Sequence, residues 1–366
     1  MVGNVQQAYQ ERLRRIERAV ALERPDRVPV VLQYSGFAAL ACGAPLAELV
    51  SSPARATELM LAAQELVGGG DAMNYGSFWP YSLCHSFAAR VRVPGRELPP
   101  EEMWQVDEQE VMGPEDYGRI VEEGWPIFFA RLLRERLGYR PAPPPPPGFD
   151  LKALWAARGL PVLCGGQVTT PLELLCGARS LERFARDLHR RPEEVAAAME
   201  EITPHLAARA CGRARALGLP GVWLGGWRSA PAMLSRPMWE RFVWPYFRRL
   251  ALEIAEQGLW AILHLDADWT RELERFREMP QGQCIMALDG STDIWRAKEV
   301  LGGHMCLMGD VPPHLLCLGT PEEVYDYSRC LVQGLGPEGF ILQSGCDTPA
   351  NAPLINVQAM VAAAGA

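Results

Sequence analysis

Short apolar runs alternate with longer amphipathic stretches along most of the chain. Residues 5–22 repeat apolar positions at helical spacing, and Pro25 follows them, so we predict a helix that ends before this proline. Residues 28–34 begin with a β-branched apolar run and predict a strand. The same pattern predicts eight strands in all, at residues 28–34, 71–75, 161–167, 221–225, 260–266, 283–289, 304–310 and 340–346.

Helical patterns separate most of these strands. They cover residues 54–67, 181–216, 237–257, 270–278, 292–300 and 321–335. Strands that alternate with helices indicate βαβ units and a parallel sheet. Eight such units fit a sheet that closes on itself, so we predict an α/β fold with a (β/α)8 barrel of the triosephosphate isomerase (TIM) type.

One interval, between the second and third predicted strands, breaks this alternation. Residues 76–160 contain strand-like pieces at 90–93 and 104–106 and a proline run at 141–147, which forms neither a helix nor a central strand. We predict a hairpin and helices inserted as a cap over the barrel mouth, followed by a proline-rich surface segment. On this interpretation residues 1–366 form a single domain; the alternative is a separate small domain at 76–160.

Composition narrows the class of protein. The 366 residues carry a formal net charge of -8, and we find no basic stripe of the kind that nucleic-acid-binding proteins present. No stretch reaches the roughly 18 consecutive apolar residues of a membrane span, and the N-terminus lacks the apolar stretch of a signal peptide. We therefore expect a cytoplasmic protein without nucleic-acid or membrane partners. The 10 cysteines form no Cys-x-x-Cys pair and do not fit a disulfide scaffold.

The C-terminal ends of the predicted strands are rich in polar and aromatic residues, and this edge is where barrel enzymes build their active sites. His264 and Asp266 lie two residues apart on one strand, so their side chains share a direction, and Cys346 ends the last strand. Imidazole, carboxylate and thiolate suit Zn²⁺ with one position left open, so we predict a zinc site. The alternatives are a hydrogen-bonded core histidine, a packing cysteine and a helix-capping aspartate.

Two further carboxylates are candidates for catalysis. Asp289 and Asp310 each lie beside a glycine at a predicted strand end, where the backbone turns sharply or approaches a ligand. We predict that they act as a general acid or base, or as acceptors that orient the substrate. The alternative is a structural aspartate in a turn or at a helix N-cap.

Four other residues at strand ends are candidates for substrate binding. Asn74 and Gln167 offer carboxamide hydrogen bonds, although a hydrogen bond within the barrel is the alternative role. Tyr34 and Trp227 are aromatic and are candidates to line a pocket for a flat apolar substrate, although aromatic residues are also ordinary core.

Several segments resemble members of the uroporphyrinogen-decarboxylase superfamily. Residues 23–30 (ERPDRVPV) and 184–195 (FARDLHRRPEEV) resemble the N-terminal signature and the start of a long helix in its methyltransferases. The segment before the family's metal-binding strand is similar to residues 234–246 (LSRPMWERFVWPY). The family's last two strand ends are similar to residues 309–312 (GDVP) and 344–349 (SGCDTP). The resemblance covers nearly the whole chain outside the proline-rich insert, and it implies the same barrel.

The resemblance favours the methyltransferase branch over the haem-biosynthesis branch. The decarboxylases carry an arginine-rich N-terminal loop for their substrate's carboxylates, whereas residues 33–40 (QYSGFAAL) contain no arginine. The methyltransferases bind zinc through a His-x-Cys pair and a later cysteine. Here the pair is His264 and Asp266, and Cys346 matches the later cysteine. A carboxylate in place of a thiolate makes a harder Lewis acid, which suits an ether oxygen.

The resemblance therefore implies a zinc-dependent methyltransferase. Such an enzyme moves a methyl group from a small-molecule methyl ether, which the resemblance implies to be aromatic, to the cobalt of a separate corrinoid protein. The cobalamin-binding pattern Asp-x-His-x-x-Gly is absent, which assigns the corrinoid to the partner. Three alternatives stay open: transfer from a methylcorrinoid protein to tetrahydrofolate or a thiol, a metal-free decarboxylase, and a non-enzymatic corrinoid-binding protein. The resemblance also implies a homodimer. Cys306 and Glu278 are candidates for a fourth zinc ligand.

Overall fold

Ten strands and seventeen α-helices are present in the computed structural model, which describes residues 2–365. The strands are β1 (Val31–Leu32), β2 (Ala72–Met73), β3 (Arg90–Arg92), β4 (Gln105–Asp107), β5 (Cys164–Thr169), β6 (Gly221–Gly226), β7 (Trp260–Leu265), β8 (Cys284–Leu288), β9 (Cys306–Val311) and β10 (Phe340–Ser344). The helices are α1 (Val2–Val20), α2 (Gly36–Ala41), α3 (Leu46–Leu49), α4 (Pro53–Val67), α5 (Cys84–Phe87), α6 (Asp116–Glu123), α7 (Trp125–Glu135), α8 (Leu151–Ala156), α9 (Pro171–Arg179), α10 (Leu181–Arg190), α11 (Pro192–Leu217), α12 (Arg236–Phe242), α13 (Trp244–Glu256), α14 (Ile294–Leu301), α15 (Pro313–Leu318), α16 (Pro321–Leu335) and α17 (Leu354–Ala363). Residues Thr270–Glu278 form a 3-10 helix.

Eight of the strands are parallel and follow one another around a ring. Strands β5 to β10 form one continuous sheet in chain order, and β1 pairs with β2. A parallel bridge from Met73 to Val162 joins β2 to the β5 side of the sheet, and a bridge from Val30 to Leu342 joins β1 to β10. The predicted α/β fold of the (β/α)8 type is confirmed.

The lumen of the barrel is filled below its mouth by apolar side chains. Alternate residues of a strand face opposite sides of the sheet, so one set faces the lumen and the other packs against the helices. The lumen cluster comprises Val31, Ala72, Leu163, Cys164, Trp223, Ile262, Ile285, Ala287, Cys306, Met308 and Ile341, together with Ile16, Ala19 and Val20 of α1. Helix α1 therefore closes the base of the barrel.

A buried carboxylate fastens α1 to the barrel. Asp71, just before β2, has a side chain with no exposed area, and it accepts hydrogen bonds from Arg15 at 2.6 Å and Arg27 at 2.8 Å. The backbone N–H of Val30 donates a third bond at 2.8 Å. Arg15 also pairs with Asp26, which is 64% exposed. Two arginines and the first barrel strand thus converge on one carboxyl group.

Prolines divide two helices that the sequence pattern predicts as continuous. Residues 181–216 form α10 and α11, because Arg191, directly before Pro192, adopts a non-helical conformation with φ −136° and ψ 41°. Residues 237–257 form α12 and α13, and Pro245 lies in the first turn of α13, where its missing N–H costs no hydrogen bond. The prediction for residues 321–335 matches α16.

The insertion between β2 and β5 contains the predicted hairpin. Strand β3 pairs antiparallel with β4, and Val91 lies opposite Val106. Helices α6 and α7 follow, and α6 packs against α11 of the barrel. Residues 141–147 are exposed and lack regular secondary structure, as expected for a proline run. The organisation of residues 1–366 as a single domain stays a prediction. No helix within residues 2–365 is long and apolar enough to cross a membrane.

Strand β5 packs so closely on α11 that Gly166 has no room for a side chain, because an added Cβ would overlap the carbonyl oxygen of Ala210. We expect Gly166→Ala to lower the free energy of unfolding by about 1–3 kcal/mol, as overpacking does elsewhere. Gly212→Ala in α11 is the matched control, since nothing lies within 4 Å of its added Cβ. It should raise stability by about 0.4–1 kcal/mol. Denaturant unfolding measures both, and a fully stable Gly166→Ala protein would contradict this packing.

Candidate metal centre

Three of the predicted ligands meet at the mouth of the barrel. His264 lies on β7, and its Nε2 is 3.3 Å from Oδ1 of Asp266, which follows the strand. Cys346 lies two residues beyond β10. One ligand atom from each residue lies within 4.8 Å of the others. Within residues 2–365 this is the one group of three or more histidine, cysteine or acidic side chains with such spacing. Cys306 and Glu278 are not part of it.

The donor set fits a zinc ion. Zinc is held by imidazole nitrogen, thiolate sulfur and carboxylate oxygen at about 2.0–2.3 Å, which puts two ligands of one tetrahedral ion about 3.5 Å apart. The observed spacing approaches this value, so small side-chain rotations would complete the site. Three protein ligands leave one tetrahedral position for a substrate or water, which is typical of catalytic zinc.

The electrostatics of the site also favour a cation. Burial lowers the pKa of His264, but hydrogen bonds with Asp266 and Cys346 and the negative charge of both side chains outweigh burial and raise this pKa to about 10. The imidazole is 3% exposed, so a positive charge there depends on these two neighbours. Metal binding replaces such a proton, because a ligating histidine is neutral.

An indole ring restrains the orientation of His264. Trp223 of β6 stacks on the imidazole with ring centroids 5.3 Å apart and an interplanar angle of 28°. Gly225 pairs with His264 across the strands, and any side chain at Gly225 would overlap the indole ring. The glycine therefore leaves the space in which Trp223 covers one face of the imidazole. The ring of Trp223 thus lies beside one of the candidate ligands.

Asp289, a predicted catalytic residue, supports the turn that follows Asp266. Its Oδ2 accepts a hydrogen bond from the backbone N–H of Ala267 at 2.9 Å, and its Oδ1 accepts one from Ser291 at 2.8 Å. Ala267 has a φ of 65°, a left-handed conformation that is costly for a residue with a Cβ. The carboxylate of Asp289 thus holds a strained turn next to one candidate ligand.

Asp310, the other predicted catalytic residue, has its partner in the helix layer. It is 3% exposed and accepts a hydrogen bond from the hydroxyl of Tyr327 on α16 at 2.9 Å. Burial raises the pKa of Asp310 to about 6, against the effect of the Tyr327 hydrogen bond. The structure therefore does not bring this carboxyl group into hydrogen-bond contact with the three ligands.

Two of the four predicted substrate-binding residues face the lumen. Asn74 is fully buried, donates to Gln33 at 2.5 Å and accepts from the thiol of Cys164 at 2.9 Å. Gln167 pairs with Trp223 and is the one partly exposed residue of β5. Because neighbours in a parallel pair share a face of the sheet, Gln167 faces the lumen at a level that solvent reaches.

The two predicted aromatic residues lie elsewhere. Tyr34 is fully buried outside the lumen, where its hydroxyl donates to the carbonyl of Met60 in α4 and its ring contacts Phe37. Trp227 is 37% exposed at the rim of the mouth, with its ring centroid 4.3 Å from that of Phe87. Trp227 is thus positioned to meet a molecule entering the barrel, whereas Tyr34 is not.

Asp347 belongs to the site, although the sequence pattern did not single it out. Its Oδ2 accepts a hydrogen bond from the hydroxyl of Ser35 at 2.5 Å, and its Oδ1 is buried without a partner. Burial raises the pKa of Asp347 to about 6, against the Ser35 hydrogen bonds and the charge of His264. Its place directly after Cys346 was the available signal.

Glu173 is a second acidic residue that the sequence pattern did not identify. It is fully buried in the first turn of α9 and accepts hydrogen bonds from Ser229 and Arg228, which follow β6. Burial raises the pKa of Glu173 to about 7; the hydrogen bonds oppose this shift, and the charge of Asp266 adds to it. No helix was predicted at residues 171–179, so no signal placed a carboxylate there.

Comparisons with known proteins agree with this architecture. The family model for uroporphyrinogen decarboxylase (URO-D) matches residues 151–366, which include all three candidate ligands. Similar curated proteins are the uroporphyrinogen decarboxylases of Geobacter metallireducens, 25% identical over 344 residues (87% of this chain, 88% of that protein), and Syntrophotalea carbinolica, 29% identical over 186 residues (48% and 51%). A methyltransferase from Methanosarcina mazei shares the fold with a TM-score of 0.71 at 18% identity, over 96% of this chain and 97% of that one. The superfamily resemblance of the sequence is confirmed. The chain belongs to the uroporphyrinogen decarboxylase family.

Proposed function

We propose that this protein is a zinc-dependent methyltransferase that moves a methyl group from an aromatic methyl ether to the cobalt of a corrinoid carried by a separate protein. The observation that carries the proposal is the meeting of His264, Asp266 and Cys346 within 4.8 Å at the barrel mouth. The sequence resemblance to methyl-ether demethylase methyltransferases and the fold shared with the Methanosarcina mazei methyltransferase support it.

The three ligands would each contribute a distinct donor: the imidazole of His264, the carboxylate of Asp266 and the thiolate of Cys346. When bound there, zinc would supply a Lewis acid for the ether oxygen as the methyl group leaves. Trp223 fixes the plane of the imidazole and Asp289 fixes the turn after Asp266, so the ligands stay oriented when a substrate enters. The electron pair of the broken O–CH₃ bond stays on the phenol oxygen, and the methyl carbon is accepted by the reduced corrinoid of the partner.

The remaining predicted residues have separate roles in this proposal. Asn74 and Gln167 orient the methyl donor from the lumen wall, and Trp227 contacts it at the rim. Asp289 acts as a positioning residue through the backbone of Ala267. Asp310 would act as a proton donor to the phenol oxygen after release of its hydrogen bond to Tyr327.

Zinc content is the first test. Protein purified anaerobically without added metal is expected to contain about one zinc per chain by elemental analysis, since three ligands on a rigid barrel form a preorganised site. The same protein should then transfer methyl groups from aromatic methyl ethers to a reduced corrinoid protein. Absence of zinc as purified, with no uptake on titration, would contradict the proposal.

A metal-free decarboxylase is the second candidate. It is favoured by the 25% identity to the uroporphyrinogen decarboxylase of Geobacter metallireducens across 344 residues. In that case Asp310, whose pKa is raised to about 6, would be the candidate acid. Release of carbon dioxide from a porphyrinogen by zinc-free protein would establish this function, and its absence in the presence of methyl transfer would exclude it.

Asp289 offers a test of ligand positioning. Asp289→Ala removes the acceptor for the Ala267 N–H, and we expect zinc to bind about 10–100-fold more weakly, as is typical when support of a metal ligand is lost. Asp293→Ala is the matched control, because Asp293 caps α14 by accepting from Trp295 and Arg296 in the same loop. Competition with a chelator measures both affinities. Equal affinities in the two variants would refute the positioning role.

A further inference from the structure

Four carboxamide side chains face the lumen on four consecutive strands of the ring. Gln33 follows β1, Asn74 follows β2, Gln167 lies on β5 and Gln343 lies on β10. Around the barrel these strands run in the order β10, β1, β2 and β5. Gln33, Asn74 and Gln343 each lie two residues beyond a residue of the apolar lumen cluster, so they face the same side one level closer to the mouth. These four side chains form the carboxamide wall.

The carboxamide wall and its surroundings hold buried donors without partners. Gln343 is 1% exposed, and its Nε2 has no hydrogen-bond partner. Nε1 of Trp223 is also buried without a hydrogen-bond partner. Between Asn74 and Gln33 there is one hydrogen bond, in which Nδ2 of Asn74 donates to Oε1 of Gln33, so the side-chain NH₂ group of Gln33 is not used in it. A buried donor without an acceptor is unfavourable, so a ligand that presents an acceptor oxygen to these N–H groups removes this cost.

Arginine and lysine side chains are scarce at this level of the barrel. The eight barrel strands and the two residues after each contain one arginine or lysine, Arg228, which is 3% exposed and pairs with Glu173 and Glu108. Acidic side chains are present instead: Asp266 beside the candidate metal and Asp347 with one unpartnered oxygen. A carboxylate entering the lumen would find no unpaired cationic side chain on these strands, and an unpaired buried charge costs far more than a neutral group.

We propose that the carboxamide wall makes this protein selective for methyl donors whose second substituent is an uncharged hydrogen-bonding group, and that it disfavours donors that carry a carboxylate. This inference rests on the proposed function, because the same molecule presents its methyl ether to the metal centre. Carboxamides donate and accept at once, and they match an amide, ketone or hydroxyl group without needing a counter-charge.

Two ligands of nearly equal shape test the proposal. meta-Methoxybenzamide and meta-methoxybenzoate differ in charge but little in size, and methoxybenzene lacks the second substituent. We expect the zinc-loaded protein to bind the benzamide at least about tenfold more tightly than the benzoate, a difference of about 1.4 kcal/mol. Titration calorimetry measures the three affinities without any corrinoid protein.

Gln343→Met is the matched variant, because it keeps the length of the side chain and removes its amide. We expect about threefold to tenfold weaker benzamide binding, with methoxybenzene unchanged. Equal or tighter binding of the benzoate, or no binding of the benzamide, would overturn the selectivity. Transfer of methyl groups from the benzoate as fast as from the benzamide would also overturn it while leaving the proposed function intact. Selective benzamide binding in a protein without methyl transfer would support the carboxamide wall and remove only the proposed function.

Discussion

Cys346→Ser is expected to remove most of the bound zinc and to lower methyl transfer from an aromatic methyl ether by more than about 100-fold. This loss exceeds the roughly 10–100-fold loss that is typical when a residue that only supports a metal ligand is changed. The serine hydroxyl stays protonated near neutral pH, so it cannot replace a thiolate, and only His264 and Asp266 would hold the ion. Cys346 is partly exposed, so the variant should fold. Elemental analysis and a corrinoid methylation assay on the same preparation measure the two losses.

Cys306→Ser is the matched control for this prediction. Cys306 is buried at the start of β9, below the level of the three ligands, and belongs to the apolar lumen cluster. Its variant should keep its zinc and its activity. Retention of zinc and activity in Cys346→Ser would refute the assignment of the ligand, and loss of zinc in Cys306→Ser alone would transfer that role to Cys306.

Asp71→Ala is expected to lower the free energy of unfolding by about 3–5 kcal/mol, the range observed when one partner of a buried ion pair is removed. The carboxyl group has no exposed area, and Arg15, Arg27 and the Val30 N–H all donate to it. Without it, two arginines at the base of the barrel lose their common acceptor. Urea unfolding followed by circular dichroism measures the change.

Asp26→Ala is the control for the buried carboxylate. Asp26 also accepts hydrogen bonds from Arg15, but its side chain is 64% exposed, so solvent screens the pair. Exposed pairs contribute at most about 1 kcal/mol. Similar losses of stability in the two variants would show that burial of Asp71 is not what fastens α1 to the barrel.

Regular alternation made the barrel predictable. The eight predicted strands all have counterparts in the ring, and α16 begins with the residues Thr320 and Pro321, a clear N-terminal signal. Helix α9 was missed because it starts two residues after β5 and its sequence PLELLCGAR continues the apolar run. Strand β1 is only two residues long, since single bridges replace regular pairing on the side facing β10.

The meeting of the three candidate ligands was predictable because strand ends converge in any parallel barrel. The direction of individual side chains was not. Tyr34 and Gln33 are neighbours in sequence, yet Tyr34 contacts α4 and Gln33 faces the lumen. A shift of the strand register by one residue would exchange these two directions. Trp223 reaches His264 only because Gly225 leaves space for the indole ring. This contact depends on two residues of β6 and one residue of the neighbouring strand β7. Such sidedness depends on register, which composition and periodicity do not specify.

Closure of the barrel base by α1 has a kinetic consequence. Ile16, Ala19 and Val20 of α1 fill the lower end of the lumen, so the part of the chain that the structure describes leaves the mouth as the route to the candidate metal centre. In the proposed reaction the small methyl donor and the large corrinoid protein both approach through this mouth. If the proposed function holds, the donor has to enter first, and the demethylated product has to stay until the protein partner departs. A compulsory order of this kind makes excess partner an inhibitor, because a prematurely docked corrinoid protein forms a dead-end complex with an empty site.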